Sequence, residues 1–313
     1  MPTVKRLLPL LLVAACSGGS GAASGPSSSP TASPTPKAEG VVVEVGNRPC
    51  GVLSAAGSVW VSDYQDNDVA RLDVTTHKVL SRATTGTSPC GMAFGAGSVW
   101  VEDYGAASVT RVDATTGKAV RDYAVGNQPY DVAFTAGAAW STDYQDGTLT
   151  RIDADTGRTC KVQIGGNPIG IAPSHGLLWV ANGTTAVTKV DARTAKVVGT
   201  VDVGLNSTWT AFDETHVWVS DTKAGKVVVL DSDTGKVVAT AATGGQPADG
   251  SVSGGVAWFP DRQDGSVVGV DASGTVVGRH ATGLGDPFVL DVVGSTLWVG
   301  DFGGTKVNVL PLS

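Results

Sequence analysis

The sequence predicts an all-β fold, a seven-bladed β-propeller of four-stranded blades closed by an N-terminal strand. Three observations predict it. A phrase centred on V-W-V returns seven times at spacings of 39 or 40 residues, each copy contains short apolar runs separated by turn residues, and the last copy lacks a final run that the segment before the first copy supplies. A period near 40 with four strands per repeat is typical of propeller blades.

The first element along the chain is a leader, predicted over residues 1–16. Lys5 and Arg6 precede the apolar run LLPLLLVAA, and Cys16 follows it. The run is shorter than the roughly 20 apolar residues that span a bilayer, as expected for an export signal. VAAC resembles the lipobox of bacterial lipoproteins, so we predict lipidation of Cys16 and anchoring on the extracytoplasmic side of the cell envelope. The alternative is an ordinary secretory signal cut near Ala15.

The second element, residues 17–40, is a tether. It consists almost wholly of Ser, Gly, Ala, Pro and Thr and shows no apolar periodicity. Such a composition cannot bury enough apolar surface to offset the entropy lost on ordering, so no fold of its own is expected. The propeller is therefore predicted over residues 41–313.

The repeats begin next, and each is predicted to be one blade. V-W-V is apolar at successive positions, as in a strand covered on both faces, so its tryptophan is predicted to be core. The D-x-x-T-G-[KR] phrases at residues 113–118, 153–158 and 231–236 are predicted hairpin connections in which Gly supplies a positive φ. The repeated tryptophans are Trp60, Trp100, Trp140, Trp179, Trp218, Trp258 and Trp298.

The two ends of the repeat region are predicted to share one blade. The last copy stops after its third strand, KVNVL at residues 306–310, and VVVEVG at residues 41–46 resembles the fourth-strand endings of the other copies. Pairing these segments closes the ring and removes the open edges that invite aggregation.

The repeated motifs carry a family resemblance. VG-x-x-P-x-G-[VMI], VWV-x-D, V-x-R-[VIL]-D and TGK together resemble the YVTN-repeat β-propellers and the related streptogramin (virginiamycin B) lyase superfamily, over residues 41–310. WVAN at residues 179–182 is nearest to Y-V-T-N itself. The resemblance implies the propeller fold and leaves the function open, because such blades carry binding proteins, lyases and quinoprotein-type subunits alike.

A candidate ligand site follows from the repeat alignment. The P-x-G and WV-x-D positions of all blades converge at one mouth of the axial channel. The first positions are Cys50, Cys90, Tyr130, Ile169, Trp209, Ala248 and Phe288, and the second are Asp63, Asp103, Asp143, Asn182, Asp221, Asp261 and Asp301. An Asp or Asn repeated at one turn of every blade favours an Asx-turn over a metal or cation site.

Residues that break the repeat are more informative about ligand binding. Aromatic rings with a few convergent polar groups are what a small-molecule cleft requires. Several acids are also followed by an aromatic or cationic residue: Tyr64, Tyr104, Tyr144, Arg262 and Phe302. The predicted ligand-binding residues are Tyr130, Asp131, Trp209, Asp249, Arg262, Phe288 and Asp301.

Catalysis is not predicted. The lyase resemblance implies histidines after the Pro of late blades, a Glu and a magnesium ion, but the matching positions here are Ala248, Phe288 and Asp301. A quinone-cofactor enzyme would need several cations at the mouth, where the alignment puts only Arg48 and Arg262. We therefore expect no catalytic residue, no cofactor and no metal, with a lyase-like or quinoprotein-like enzyme as the alternative.

Cysteines form a separate question, because three remain once Cys16 is set aside. Cys50 and Cys90 occupy equivalent positions in adjacent blades, and three interpretations stay open: a disulfide, two buried free thiols, or a soft-metal site with Met92. Cys160, on a predicted fourth strand, is interpreted as a small apolar filler.

The function predicted from these features is non-enzymatic binding at the mouth. The expected partner is an unidentified small molecule, a peptide or an envelope protein, and a scaffold that uses the outer rim is a further alternative. Nucleic acid is not expected, because the chain has 22 Lys and Arg against 29 Asp and Glu and a net charge of -7. Contact with the membrane is expected only through the lipid anchor, and the protein is expected to be a monomer.

Overall fold

The structure is a computed structural model that describes residues 40–312. The predicted leader, Cys16 and nearly all of the predicted tether lie outside the described residues. Residues 40–312 form strands and turns, and none of their segments is a helix long and apolar enough to cross a membrane.

The described residues contain 28 strands. The first half comprises β1 (Val41–Glu44), β2 (Pro49–Ala55), β3 (Ser58–Asp63), β4 (Asp68–Asp73), β5 (Val79–Thr84), β6 (Pro89–Gly95), β7 (Ser98–Asp103), β8 (Ser108–Asp113), β9 (Lys118–Ala124), β10 (Pro129–Thr135), β11 (Ala138–Asp143), β12 (Thr148–Asp153), β13 (Thr159–Gln163) and β14 (Ile171–Ser174). The second half comprises β15 (Leu177–Ala181), β16 (Ala186–Asp191), β17 (Lys196–Asp202), β18 (Thr210–Phe212), β19 (His216–Asp221), β20 (Lys226–Asp231), β21 (Val237–Ala242), β22 (Ser251–Ser253), β23 (Val256–Asp261), β24 (Ser266–Asp271), β25 (Val276–Ala281), β26 (Pro287–Val293), β27 (Thr296–Asp301) and β28 (Lys306–Pro311).

The strands form seven four-stranded antiparallel sheets, which confirms the predicted fold class. Blades 1 to 6 each consist of four consecutive strands, beginning with β2, β6, β10, β14, β18 and β22. Their first strands contact one another from blade to blade and surround the axis of the propeller. The channel between these inner strands is where a site can form.

Blade 7 combines both ends of the described chain. β26, β27 and β28 are joined by β1, which pairs antiparallel with β28 in the register Val41 to Val309 and Glu44 to Lys306. Val43 is the one buried residue of β1, and its side chain packs in the core while those of its strand neighbours are exposed. The N-terminal strand therefore supplies the fourth strand that the last repeat lacks.

Tryptophans fill the space between blades, as predicted. Six of the seven repeated tryptophans are at most 1% exposed, and Trp258 is 8% exposed. V-W-V strands are buried on both faces because each sheet packs between two neighbours. The tryptophan series belongs to the core and is unavailable to a ligand.

The predicted hairpin connections are also present. In the β8–β9 connection, Asp113 Oδ1 accepts a hydrogen bond from the backbone N–H of Thr116 at 2.7 Å, and Gly117 adopts a φ of 67°. The side chain replaces a backbone acceptor in the turn, and glycine avoids the clash that a Cβ meets at positive φ. These loops are structural turns.

Candidate functional site

Six aromatic side chains form a closed circle at one mouth of the axial channel, which we call the aromatic collar. Each ring contacts the next, with centroid separations of 5.1 to 6.4 Å all the way around. Edge-to-face arrangements predominate, the geometry that aromatic pairs prefer. In order around the circle, the collar consists of Tyr64, Phe302, Phe288, Trp209, Tyr130 and Tyr104.

Two loop positions of the repeat supply the collar. Tyr130, Trp209 and Phe288 occupy the position after the inner-strand turn, and Tyr64, Tyr104 and Phe302 follow the acid that ends the second strand. Both loops open at the same end of the blade, because an antiparallel strand returns to the end from which its partner began. One repeat alignment therefore brings residues from five blades together.

The collar encloses a cavity of about 320 Å³. Trp209 and Phe288 are only 5% and 8% exposed and form its deep wall, whereas the tyrosines are half-buried around the opening. Burial raises the pKa of Tyr104 and Tyr130 above that of free tyrosine, so both phenols keep their protons. The complete lining is Cys50, Tyr64, Cys90, Tyr104, Tyr130, Ile169, Thr208, Trp209, Thr222, Arg262, Phe288 and Phe302.

Arg262 is the cation of this lining. Its Nε and Nη2 atoms donate to the two carboxylate oxygens of Asp286 at 2.7 and 2.8 Å, and its guanidinium lies 5.0 Å from the centre of the Phe288 ring. The fork-shaped ion pair fixes the guanidinium in one orientation. Arg48, which is exposed, lies over Phe302 at 4.2 Å beside the opening.

Cys50 and Cys90 line the cavity and form a disulfide bond between blades 1 and 2. Their Cα atoms are 4.7 Å apart, within the range that a disulfide requires. Met92, which the sequence linked to a soft-metal site, lies at a different cavity instead. Cys160 is a free, exposed thiol on β13 rather than the small apolar filler that the sequence indicated.

Three of the seven predicted ligand-binding residues do not line this cavity. Asp131 follows Tyr130 on β10, and Asp249 follows Ala248 in the segment just before β22; both aspartates line a second cavity instead. Asp301 is 8% exposed and accepts a hydrogen bond from the backbone N–H of Asp286 at 2.8 Å. The structure brings together Tyr130, Trp209, Arg262 and Phe288.

The repeated acids of the second strands serve the loops. Asp143 accepts from the backbone N–H of Gly126, and Asp261 accepts from that of Gln246, in each case binding the loop that enters its own blade. Asp221 and Asp261 additionally accept from N–H groups three and two residues onward, as in Asx-type turns. These acids therefore have the structural role that the sequence favoured. Besides forming Asx-type turns, they bind the loop that precedes the first strand of their blade.

A second cavity of about 350 Å³ lies farther along the inner strands. Its lining contains Asp131, Asp249 and Asp291 and no Lys, Arg or His. Burial raises the pKa of Asp131 to about 7, and burial together with the charges of Asp131 and Asp291 raises the pKa of Asp249 well above its usual value. The two cavities of the channel therefore differ in charge: acidic here, and free of carboxylates at the collar.

Glu102 is a buried acid that the sequence analysis missed. It is 0% exposed, and neither carboxylate oxygen has a hydrogen-bond partner within residues 40–312. Burial, then the nearby Asp143 and Asp131, raise its pKa well above the usual value. At the equivalent positions, Ser62 and Thr142 donate to a carbonyl of the next blade at 2.6 and 2.9 Å. An ionised Glu102 carboxylate has no proton that it could donate to the corresponding carbonyl.

We predict that Glu102→Gln stabilises the protein at neutral pH. The raised pKa means that the folded state holds a proton that the unfolded state releases, so wild type loses stability as pH rises above about 4.5. The amide removes this loss, and the variant should gain about 1 to 3 kcal/mol of unfolding free energy at pH 8 and little at pH 4. Urea unfolding at both values measures it, with the exposed Glu214→Gln as control. Equal gains at the two pH values would contradict the assignment.

Comparison with known proteins bears on the fold. A scan against protein-family models gave no match, and a search of curated proteins gave none either. A streptogramin B lyase structure aligns with a TM-score of 0.75 at 14% identity, covering 88% of this chain and 98% of that one. Hydrazine synthase of Kuenenia stuttgartiensis gives 0.73 at 14% identity, covering 91% and 98%. The designed Ika8 protein gives 0.64 at 15%, covering 86% and 98%.

The chain is a seven-bladed β-propeller. Identities this low establish the fold and leave the activity open. The resemblance to the streptogramin lyase superfamily is thus matched by a structural likeness, whereas membership of the YVTN-repeat class stays a prediction.

The metal that the lyase resemblance implies does not fit this propeller. Ala248 is completely buried, Phe288 belongs to the collar wall, and Asp301 already binds a backbone N–H group. Among residues 40–312, no three His, Cys, Asp or Glu side chains are grouped to hold a metal ion. The histidines lie elsewhere, for example His280 against Trp258 and His175 against Asp233. No magnesium-dependent step is derived for this site.

Proposed function

We propose that this protein binds a small ring-bearing molecule in the aromatic collar and catalyses no reaction on it. The observation that carries the proposal is the closed circle of six aromatic rings around a cavity of about 320 Å³. That volume lies at the lower end of the range for small-molecule pockets, and an apolar wall with a few polar groups is their usual composition.

The chemistry of the lining favours binding over catalysis. Proton transfer needs a group that changes protonation near the working pH, such as histidine or a suitably placed carboxylate. The collar lining contains neither; it offers phenols, threonine hydroxyls and a guanidinium that is paired with Asp286. The alternative is a streptogramin-lyase-like or quinoprotein-like enzyme. Turnover of a bound compound that a metal chelator abolishes would favour this alternative.

We further propose that the propeller is exported and held at the membrane by a lipid on Cys16. The lipobox-like VAAC and the Ser/Pro/Gly-rich tether support this. The Cys50–Cys90 disulfide also supports it, because such bonds persist mainly in oxidising compartments. A tether of this composition would keep the collar clear of the membrane surface.

We predict that ring compounds raise the melting temperature of the wild-type protein and lose this effect when the collar is altered. Trp209→Leu and Tyr130→Leu keep apolar bulk while removing the flat faces, and each should weaken binding about tenfold. A thermal-shift screen of small aromatic compounds, followed by titration calorimetry, measures this.

Phe94→Leu is the matched control, because Phe94 is an exposed aromatic residue of the second cavity. It should leave collar binding unchanged. Ligand-induced shifts that survive in the Trp209→Leu, Tyr130→Leu double variant would overturn the assignment of the site.

A further inference from the structure

The collar differs from an ordinary aromatic cage in its charge. Cages that bind organic cations present free ring faces, usually with a carboxylate nearby. Here three of the six rings already lie against the protein's own cations: Arg262 lies 5.0 Å from the Phe288 ring centre, and Arg48 lies 4.2 Å from that of Phe302 and 5.6 Å from that of Tyr64. The lining contains no Asp or Glu. A cationic ligand would meet two guanidinium groups and no lining carboxylate.

The polar groups that remain can donate hydrogen bonds. Within residues 40–312, the hydroxyls of Tyr64, Tyr104 and Tyr130 have no hydrogen-bond partner, and neither has the Nη1 group of Arg262, which binds Asp286 through Nε and Nη2. A guanidinium paired on one side through Nε and Nη2 still presents its remaining N–H groups. Donors of this kind match an acceptor-rich or anionic group.

The two guanidinium groups flank the same part of the collar. Arg48 precedes blade 1 and Arg262 directly follows β23 of blade 6, while Phe288 and Phe302 belong to blade 7 between them. The Asp286 ion pair holds Arg262 at this wall, with the Arg262 side chain 33% exposed. A ring lying against Trp209 and Phe288 would bring a substituent on its edge within reach of that guanidinium.

We infer that the collar binds an aromatic molecule that carries a carboxylate, with its ring among Tyr130, Trp209 and Phe288 and its carboxylate at Arg262. This rests on the proposed function above and names the class of its ligand. The cavity volume suits one or two fused rings with a short acidic side chain. Charge-assisted hydrogen bonds to guanidinium give the acid its advantage over a neutral ligand of the same shape.

Titration calorimetry with matched acid and amide pairs tests the inference. A panel of one- and two-ring aromatic acids and their primary amides is used, with indole-3-acetate and indole-3-acetamide as the first pair and tryptamine as the cationic analogue. Wild type should bind the acids about tenfold more tightly than the amides, and tryptamine most weakly. The preference should shrink at high salt, because exposed ionic contacts are screened.

Variants assign the preference to Arg262. Arg262→Gln combined with Asp286→Asn removes both charges of the ion pair, and the acids should then bind no better than the amides while amide affinity is kept. Arg71→Gln is the control, because Arg71 lies over Trp60 and donates to Thr115 O, away from the collar lining. It should retain the full preference.

The outcomes separate the two proposals. Amides that bind the collar as tightly as the acids, or an acid preference that persists in the Arg262→Gln, Asp286→Asn variant, would overturn the carboxylate inference and leave ring binding intact. If the collar bound neither member of any pair, both proposals would be overturned.

Discussion

Deleting residues 41–46 is expected to destabilise the propeller by about 5 kcal/mol and to cause association. Val43 and Val45 are 8% and 6% exposed, and burying a valine contributes about 1.5 to 3 kcal/mol. The deletion also removes the β1–β28 ladder and the bond from the Val45 N–H to Thr305 O at 2.9 Å. An unpaired β28 then offers a template for another chain.

Urea unfolding and size-exclusion chromatography measure this effect. Val43→Asp, which places a charge in the same core position, should reproduce the loss of stability without shortening the chain. Val42→Ala is the control, since Val42 is 53% exposed and pairs with Asn308 through its backbone. A deleted chain that unfolds at the wild-type midpoint as a monomer would show that β1 does not close blade 7.

Removing the Cys50–Cys90 disulfide is expected to lower the free energy of unfolding by about 4 kcal/mol. The bond closes a loop of roughly 40 residues, and the entropy lost by the unfolded chain scales with the logarithm of that length. Cys50→Ala with Cys90→Ala should show the loss in urea unfolding. Cys160→Ser should not, because Cys160 is exposed and unbonded.

Thiol counting under denaturing, non-reducing conditions provides the chemical check. With Cys16 lipidated or removed, we expect one reactive thiol, that of Cys160. Three reactive thiols would exclude the disulfide. The same bond joins the first two blades in the lining of the collar cavity, so its loss should also weaken ring binding by loosening that part of the lining.

The blade count and the closure could be predicted from the sequence because repeats convert spacing into geometry. Tryptophans 39 or 40 residues apart must occupy equivalent places, and the only unmatched strand lay at the other end of the chain. Equivalence also predicted that Tyr130, Trp209 and Phe288 share one mouth, because the same loop of each blade opens at the same end.

Residue identity alone could not predict which way individual side chains face. Asp131 and Tyr130 are adjacent, yet a β-bulge between Pro129 and Val132 and the course of the strand along the channel put them at different cavities. The contribution of Tyr64, Tyr104 and Phe302 was visible only as residues next to repeated acids. Their closure into a circle depends on distances between blades, which a linear repeat does not contain.

Glu102 was missed because the repeat conceals it. Two of the equivalent positions hold Ser62 and Thr142, whose hydroxyls donate to a neighbouring carbonyl, and the charged pair E-D at residues 102–103 gives no sign that the glutamate is 0% exposed. Comparing the side-chain chemistry of each repeat position, rather than its hydropathy, would have identified Glu102 as an exception among the repeats.

A crystal structure of the protein with the tightest-binding ring compound from the thermal-shift screen would show directly where the ligand binds. We expect the ring to lie within the collar, in contact with Trp209 and Tyr130 and in the cavity that the Cys50–Cys90 bond lines. A compound found in the second cavity beside Asp131, or on the outer strands, with the collar unliganded would contradict it.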